Sequence, residues 1–366
     1  MTAAASPPPA GLPADYATAR QAFLAACHSA GASVRSVEHP LAGPDGALFM
    51  DIASLGSAEA TRAVFVVSGT HGVEGYAGSP LQTHWLANHA AEQPADVRSV
   101  WLHAHNPFGF AWTRRVNEDN VDLNRNYLDW DDPSMRPVPN TAYDALASLV
   151  VPEDWSEATQ RSTTEALLAH AAEHGMDSLQ AAVSQGQYSH SKGVFYGGAR
   201  PTWSFERMRE ITQRELAGLE RVAVIDLHTG LGDWGEGEII SHHAMDSDAY
   251  RRAARCWQGV RSMVDGDSVS ARLHGDWLQR FDHWMAGTEV TSGALEYGTV
   301  DPISVLQSLR ADAWLHGYGD PGGEAGEAVR RQVRAAFADD DPAWIARLWP
   351  RFAEVLAASL AELAAP

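Results

Sequence analysis

The chain has 366 residues and carries 47 acidic against 27 basic side chains, a formal net charge of −20. A field of that sign repels phosphate backbones and anionic lipid headgroups, which argues against nucleic acid and a membrane surface as partners. At 45% apolar and 20% charged, the composition is globular, and the length suffices for one large α/β core or two smaller ones.

Met1 to Tyr16 contains three consecutive prolines and lacks both a positive n-region and an apolar h-region. Residues 1–15 therefore read as a flexible leader and not as a secretory signal, with one domain expected over 16–366. No run approaches the roughly 18–20 apolar residues of a membrane span. Cys27 and Cys256, far apart in the chain, read as reduced thiols and not as a disulfide framework. The expectation is a soluble cytoplasmic protein; a homo-oligomer is left open.

The pattern predicts a helix over Tyr16 to Ala30, capped by Gly31. Strands over Ser33 to Glu38 and Ala47 to Leu55 flank a Gly-Pro-Asp-Gly turn. Arg62 to Ser68, a short β-branched run, reads as a strand buried on both faces and stops at Gly69-Thr70-His71-Gly72. Gly75 to Ala91 reads as a helix, and Arg98 to Ala104 as a second buried strand ending at His105-Asn106-Pro107. Residues 129–200 break the alternation, with helix-like acidic segments between a Trp-Asp-Asp-Pro loop and a Gly-Gly-Ala-Arg-Pro turn. They are expected to be an insertion beside the site, or a lid. Arg221 to Leu227 and Val290 to Tyr297 are two further buried strands, and the chain beyond Pro302 is mostly helical by pattern. Alternating strands and helices predict an α/β fold with a mixed, largely parallel, twisted sheet between helices. Four of its strands end in polar, glycine-containing turns, where open α/β sheets place their sites.

Those turns hold the candidate chemistry. His71 and Glu74, three residues apart after a buried strand, are placed to reach one metal ion, or else form a structural turn. A second His-x-x-Glu, His170 to Glu173, lies in an amphipathic helix and reads as a solvated face. His228, at the end of another strand, would complete three protein ligands with a position left for water. Asp226, two residues earlier, is either an acceptor behind a ligand imidazole or an ordinary strand-end carboxylate. Arg114, Arg115 and Arg125 fall within 12 residues and suit carboxylate recognition, though Glu118, Asp119 and Asp122 in the same window allow a set of salt bridges. Glu296, an acidic residue in an apolar strand end, suits a general base beside a metal-activated water.

In this order (His-x-x-Glu, Asn106-Pro-x-Gly109, an arginine, Val121-Asp-Leu-Asn-Arg-Asn126, a distant His, a late Glu) the sequence resembles the zinc carboxypeptidase superfamily. Asp226-Leu-His-Thr-Gly230 and Leu295-Glu-Tyr-Gly298 are more similar to its succinylglutamate desuccinylase and aspartoacylase branch, and the whole to a bacterial group known as a domain of unknown function. The resemblance implies one zinc ion held by His71, Glu74 and His228, with Glu296 as general base. Arg115 would hold the oxyanion, with Arg114 as the fallback, and Asn124 and Arg125 would bind a substrate carboxylate. A tyrosine near the leaving group is also implied; Tyr297, Tyr196 and Tyr76 are candidates without a matching motif. The implied activity is hydrolysis of an amide bond beside a free carboxylate, on a peptide C-terminus or on a small N-acyl amino acid. A reading of another class is a non-catalytic binding module on the same fold.

Overall fold

A computed structural model describes residue 9, residues 11–132 and residues 139–365. Helix α1 (Tyr16–Ala30) opens with Asp15 accepting the backbone N–H of Thr18 and closes at Gly31, which takes φ 72°. There follow β1 (Ser33–Gly43), β2 (Gly46–Leu55), β3 (Arg62–Ser68), α2 (Gly75–Asn88), β4 (Arg98–His103) and α3 (Pro107–Ala111). Helices α4 (Thr141–Val150), α5 (Glu157–His174), α6 (Met176–Ser184) and α7 (Trp203–Ile211) lead to β5 (Arg221–Trp234) and β6 (Gly237–Ser241). The chain ends with α8 (Asp248–Cys256), β7 (Arg261–Ser262), α9 (Trp277–Trp284), β8 (Glu289–Gly298), α10 (Pro302–Tyr318), α11 (Glu324–Phe337) and α12 (Pro342–Ala364). Among the described residues no helix is long and apolar enough to cross a membrane.

The strands form one mixed sheet in the order β1-β2-β4-β3-β5-β8-β6-β7. Its centre, β4-β3-β5-β8, is parallel, and these are the four buried strands expected from sequence. Their β-branched runs alternate between two cores. Val64, Val66, Ala223 and Ile225 pack with α1, α2 and α12, while Phe65, Val67, Val222 and Val224 pack with α7 and α9. From β3 the chain crosses to β4 on one side, whereas from β5 it continues to β6, β7 and β8, all on the other. The loops leaving β3 and β5 therefore diverge, and a crevice opens beyond their carboxyl ends.

Several boundaries differ from expectation. β5 runs on past Leu227, staying in register with β8 through His228 and Thr229 and becoming irregular only before Trp234. The glycine at 230 marks that irregularity and not a strand end. Helix α2 stops at Asn88, with a 3-10 turn over Ala90–Glu92. β6 and the two-residue β7 are too short to leave a periodic signal. Residues 1–8 and 10 of the expected leader lie outside the described residues, but its last part is anchored: the Arg334 guanidinium donates to the carbonyls of Pro13 and Ala14.

Within the segment 129–200, of which 133–138 lie outside the described residues, α4, α5 and α6 pack with α10 and α11 in a third apolar cluster. Arg310 of α10 is fully buried there. Its guanidinium donates to the last carbonyls of α4, Leu149 (2.9 Å) and Val150 (2.8 Å), and to the hydroxyls of Thr163 and Thr164 on α5. A cation at a helix C-terminus meets carbonyls that have no partner within the helix. Arg310→Ala should therefore lower unfolding free energy by about 3 kcal/mol, because buried carbonyls lose charged donors. Chemical denaturation checks this; a loss under about 1 kcal/mol would mean that the segment is held without this residue.

Candidate metal centre

The crevice receives side chains from three neighbouring strands. His71 and Glu74 lie in the turn after β3, His228 in β5 and Glu296 in β8, where His228 and Glu296 are register partners. The turn is held by backbone bonds from Gly72 N to Arg115 O (3.0 Å) and from Val73 N to Arg114 O (2.8 Å). Gly72 is required by that approach, because a Cβ there would collide with the backbone of Gly109 and Phe110.

The donor atoms converge. His71 Nδ1 lies 2.8 Å from Glu74 Oε1, His228 Nδ1 lies 2.8 Å from Glu74 Oε2, and the two Nδ1 atoms are 3.2 Å apart. All three residues are buried. The opposite nitrogens meet carboxylates, His228 Nε2 at 2.5 Å from Asp226 Oδ2 and His71 Nε2 at 3.2 Å from Asp122 Oδ1. A carboxylate behind an imidazole holds the proton on Nε2 and turns the Nδ1 lone pair forward, as a metal ligand requires. Two neutral imidazoles and a carboxylate suit zinc. The donor set thus fits one zinc ion.

Electrostatics favour the same occupant. Burial opposes the charged form of Glu74, but His71 and His228 outweigh it and lower its carboxyl to about 2. Burial likewise opposes charge on Asp122, which Arg115 and Arg125 overcome, keeping it well below the usual carboxylate range. His228 is raised well above the imidazole range, since Asp226 and Glu74 together outweigh its burial. A metal ion at its Nδ1 therefore competes with a proton.

Arg115 donates to Glu74 Oε1 and to Asp122 Oδ2, both at 3.0 Å, and its NH2 group lies 2.8 Å from His71 Nε2. If His71 binds metal through Nδ1, its Nε2 carries the proton. Two donors then face each other, so the Arg115–His71 contact and metal coordination belong to different states. Arg115 also lines a cavity of about 90 Å³ with Glu296, Arg125, Phe195, Ser184 and Phe337. The Phe195 ring lies against both guanidinium groups, its centroid 5.4 Å from Arg115 Cζ and 5.1 Å from Arg125 Cζ.

Other expected residues fall elsewhere. Arg114 is buried, with its Nε and NH2 on Asp312 of α10, and supports the loop without lining that cavity. Asn124 borders a second, smaller cavity of about 50 Å³ with His228, Asp276 and Leu273, apart from Arg125. Tyr297 turns away from the site. Strand alternation puts Glu296 on one face and Tyr297 on the other, where its ring joins the apolar core and its hydroxyl donates to Leu348 O at 3.0 Å. The Tyr76 hydroxyl bonds Thr113 Oγ1 at 3.0 Å, and neither Tyr76 nor Tyr196 lines either cavity.

Several contributors were not among the expected site residues. Asp122, within the Asn-Arg motif, stands behind His71. Trp277 of α9 donates to Asp226 Oδ2 at 2.6 Å, and Thr70 donates to Asp226 Oδ1 at 2.8 Å. Phe195 and Ser184 come from the segment 129–200, and Ser270 and Leu273 come from the loop before α9. The Asp122 signal lay in its motif; the others are distant in sequence and meet only in the fold.

No curated protein sequence matches the chain. Similar solved structures include carboxypeptidase A from Helicoverpa armigera, at 14% identity over 88% of this chain and 74% of that chain, with a TM-score of 0.45. An aspartoacylase family protein from Mesorhizobium loti MAFF303099 matches at 16% identity over 80% of this chain and 68% of that chain (TM-score 0.40). A metallo-carboxypeptidase from Burkholderia cenocepacia matches at 13% identity over 96% of this chain and 70% of that chain (TM-score 0.44). A family described as Protein of unknown function (DUF2817) matches residues 13–351, nearly the whole chain, and the chain belongs to that family.

Proposed function

We propose that the chain is a zinc-dependent hydrolase that cleaves an amide bond beside a free carboxylate. The observation that carries this reading is the convergence of His71 Nδ1, His228 Nδ1 and both Glu74 oxygens within 2.8–3.2 Å, next to the half-buried carboxyl of Glu296. A zinc ion held by these three residues would supply Lewis acidity, making water nucleophilic near neutral pH.

Glu296 is the base. Its Oε1 accepts the N–H of Leu231 at 3.1 Å, which fixes the carboxyl against the cavity. It takes the proton from the attacking water and returns it to the departing amine. Arg115, released from His71, donates to the developing oxyanion, a contribution of roughly 3–4 kcal/mol for a well-placed donor. Arg125 meets the substrate carboxylate, with the Phe195 ring beside both guanidinium groups.

The closed shape favours a small substrate. The segment 129–200 supplies Gln180, Ser184 and Phe195 as one wall of a cavity of only about 90 Å³. An N-acyl amino acid fits this enclosure better than the end of a long peptide, which is the second reading. Activity on N-acyl amino acids and on C-terminally free peptides, measured with and without chelator, tests both. Zinc below a tenth of an equivalent, with no activity restored by added metal, would overturn the enzyme reading.

Glu296→Gln should keep zinc and lower kcat by about 10²–10⁴-fold, the usual range for a removed general base. Near-normal kcat would remove Glu296 from the chemistry. Arg125→Ala should raise KM for carboxylate-bearing substrates while sparing a neutral amide, and equal losses on both would assign it to the fold alone.

The metal-free chain carries a pH signature as well. Burial, and next the charge of Glu74, raise the Glu296 carboxyl from 4.5 to about 8. The folded chain holds this proton through a range in which the unfolded chain has lost it. The stabilisation is complete below pH ~4.5 and is lost as pH rises towards ~8. Chelated wild type should thus lose more Tm between pH 5 and 8 than chelated Glu296→Gln. Parallel losses would mean that Glu296 is already ionised without metal.

A further inference from the structure

We propose that His242, His243 and Asp282 form a second divalent-metal site, independent of the one at the strand ends. His242 and His243 directly follow β6, and Asp282 lies on α9. Consecutive residues of an extended strand send their side chains to opposite faces. Here the chain bends, and the two imidazole centroids lie 4.0 Å apart. Both Nε2 atoms reach the same carboxylate oxygen, Asp282 Oδ2, at 2.8 Å from His242 and 3.0 Å from His243.

A plain ion pair accounts poorly for this cluster. One carboxylate oxygen takes both imidazoles, while Asp282 Oδ1 is buried with no hydrogen-bond partner among the described residues. Buried polar atoms without partners are rare, and an ion is one of the recognised reasons for them. The compression matches the first centre, where donor atoms also stand 2.8–3.2 Å apart. Ligands at about 2.0–2.2 Å from a tetrahedral ion are separated by roughly 3.3–3.5 Å, so small rotations of these rings would admit one.

Two imidazoles and one carboxylate select a borderline divalent ion such as zinc over magnesium or calcium, which prefer oxygen. His243 and Asp282 keep 23% and 24% of their side-chain surface exposed, which leaves the ion a path from solvent and room for water ligands. Its place gives it a role in the fold. It would tie the bend after β6 to α9, the helix whose Trp277 holds Asp226 behind His228.

Zinc equivalents per chain, measured by elemental analysis after metal-stripped protein is loaded and free ion removed, test the proposal. Wild type should hold two equivalents. His243→Ala and Asp282→Asn should each hold one, and so should the double variant His71→Ala/His228→Ala. Wild type holding one that the His71/His228 double variant loses would overturn this site and leave the first standing. Wild type holding one that His243→Ala loses would leave this site standing and overturn the first. Two equivalents retained in both His243→Ala and Asp282→Asn would overturn it, and so would none in wild type. Melting curves guard against misfolding: added zinc should raise Tm in the His71/His228 double variant, and further substitution His243→Ala should abolish that rise.

Discussion

Glu74, Asp122 and Asp226, all buried, and the half-buried Glu296 bring four carboxyl groups together beyond the strand ends. Such a group of like charges is tolerable only when cations of matching number share the space. Arg115 and Arg125 are two of them, and a divalent ion between His71, Glu74 and His228 would complete the compensation. Much of the surrounding architecture is consistent with this demand. Asp122 serves an imidazole and two guanidinium groups, Asp226 takes bonds from His228, Thr70 and Trp277, and Glu296 remains as the carboxyl that holds its proton most tightly.

The sheet makes this assembly affordable. Parallel strands buried on both faces form a rigid floor whose apolar runs, Arg62–Ser68 and the first half of β5, are committed to packing on either side. Polar groups gather only where the runs end and neighbouring loops diverge. Register then does the positioning: His228 opposite Glu296 in paired strands sets the proposed ligand beside the proposed base. The helices of the segment 129–200 meet α10 and α11 over this crevice, and Arg310 joins them by capping α4 while bonding α5.

The net charge of −20 stands against the substrate proposed here. At physiological salt such a field fades beyond about 8 Å, so recognition of an anion depends on what lines the pocket. Arg125 is buried and Arg115 half-buried beside Phe195, where solvent screens them less than it does the acidic surface, and both are held there by pairing with Asp122.

Local patterns sufficed for the buried strands and for the turn that holds His71 and Glu74, because hydrophobic runs and glycine punctuation are written in neighbouring residues. His71, Glu74, His228, Glu296 and Arg115 were legible for the same reason: each sits in or beside a strand end or within a short motif. Arg114 stands next to Arg115 in sequence and Tyr297 had no motif to place it, so only the packing could tell where each side chain goes. Strand alternation turned Tyr297 into the core, and Asp312, nearly 200 positions away, captured Arg114. The cavity wall from the segment 129–200, Trp277 behind Asp226, and the pairing of His242 and His243 with Asp282 arise from segments far apart in the chain. Periodicity fixes which face a residue takes; which distant residue meets it there is decided by how helices and strands close on one another.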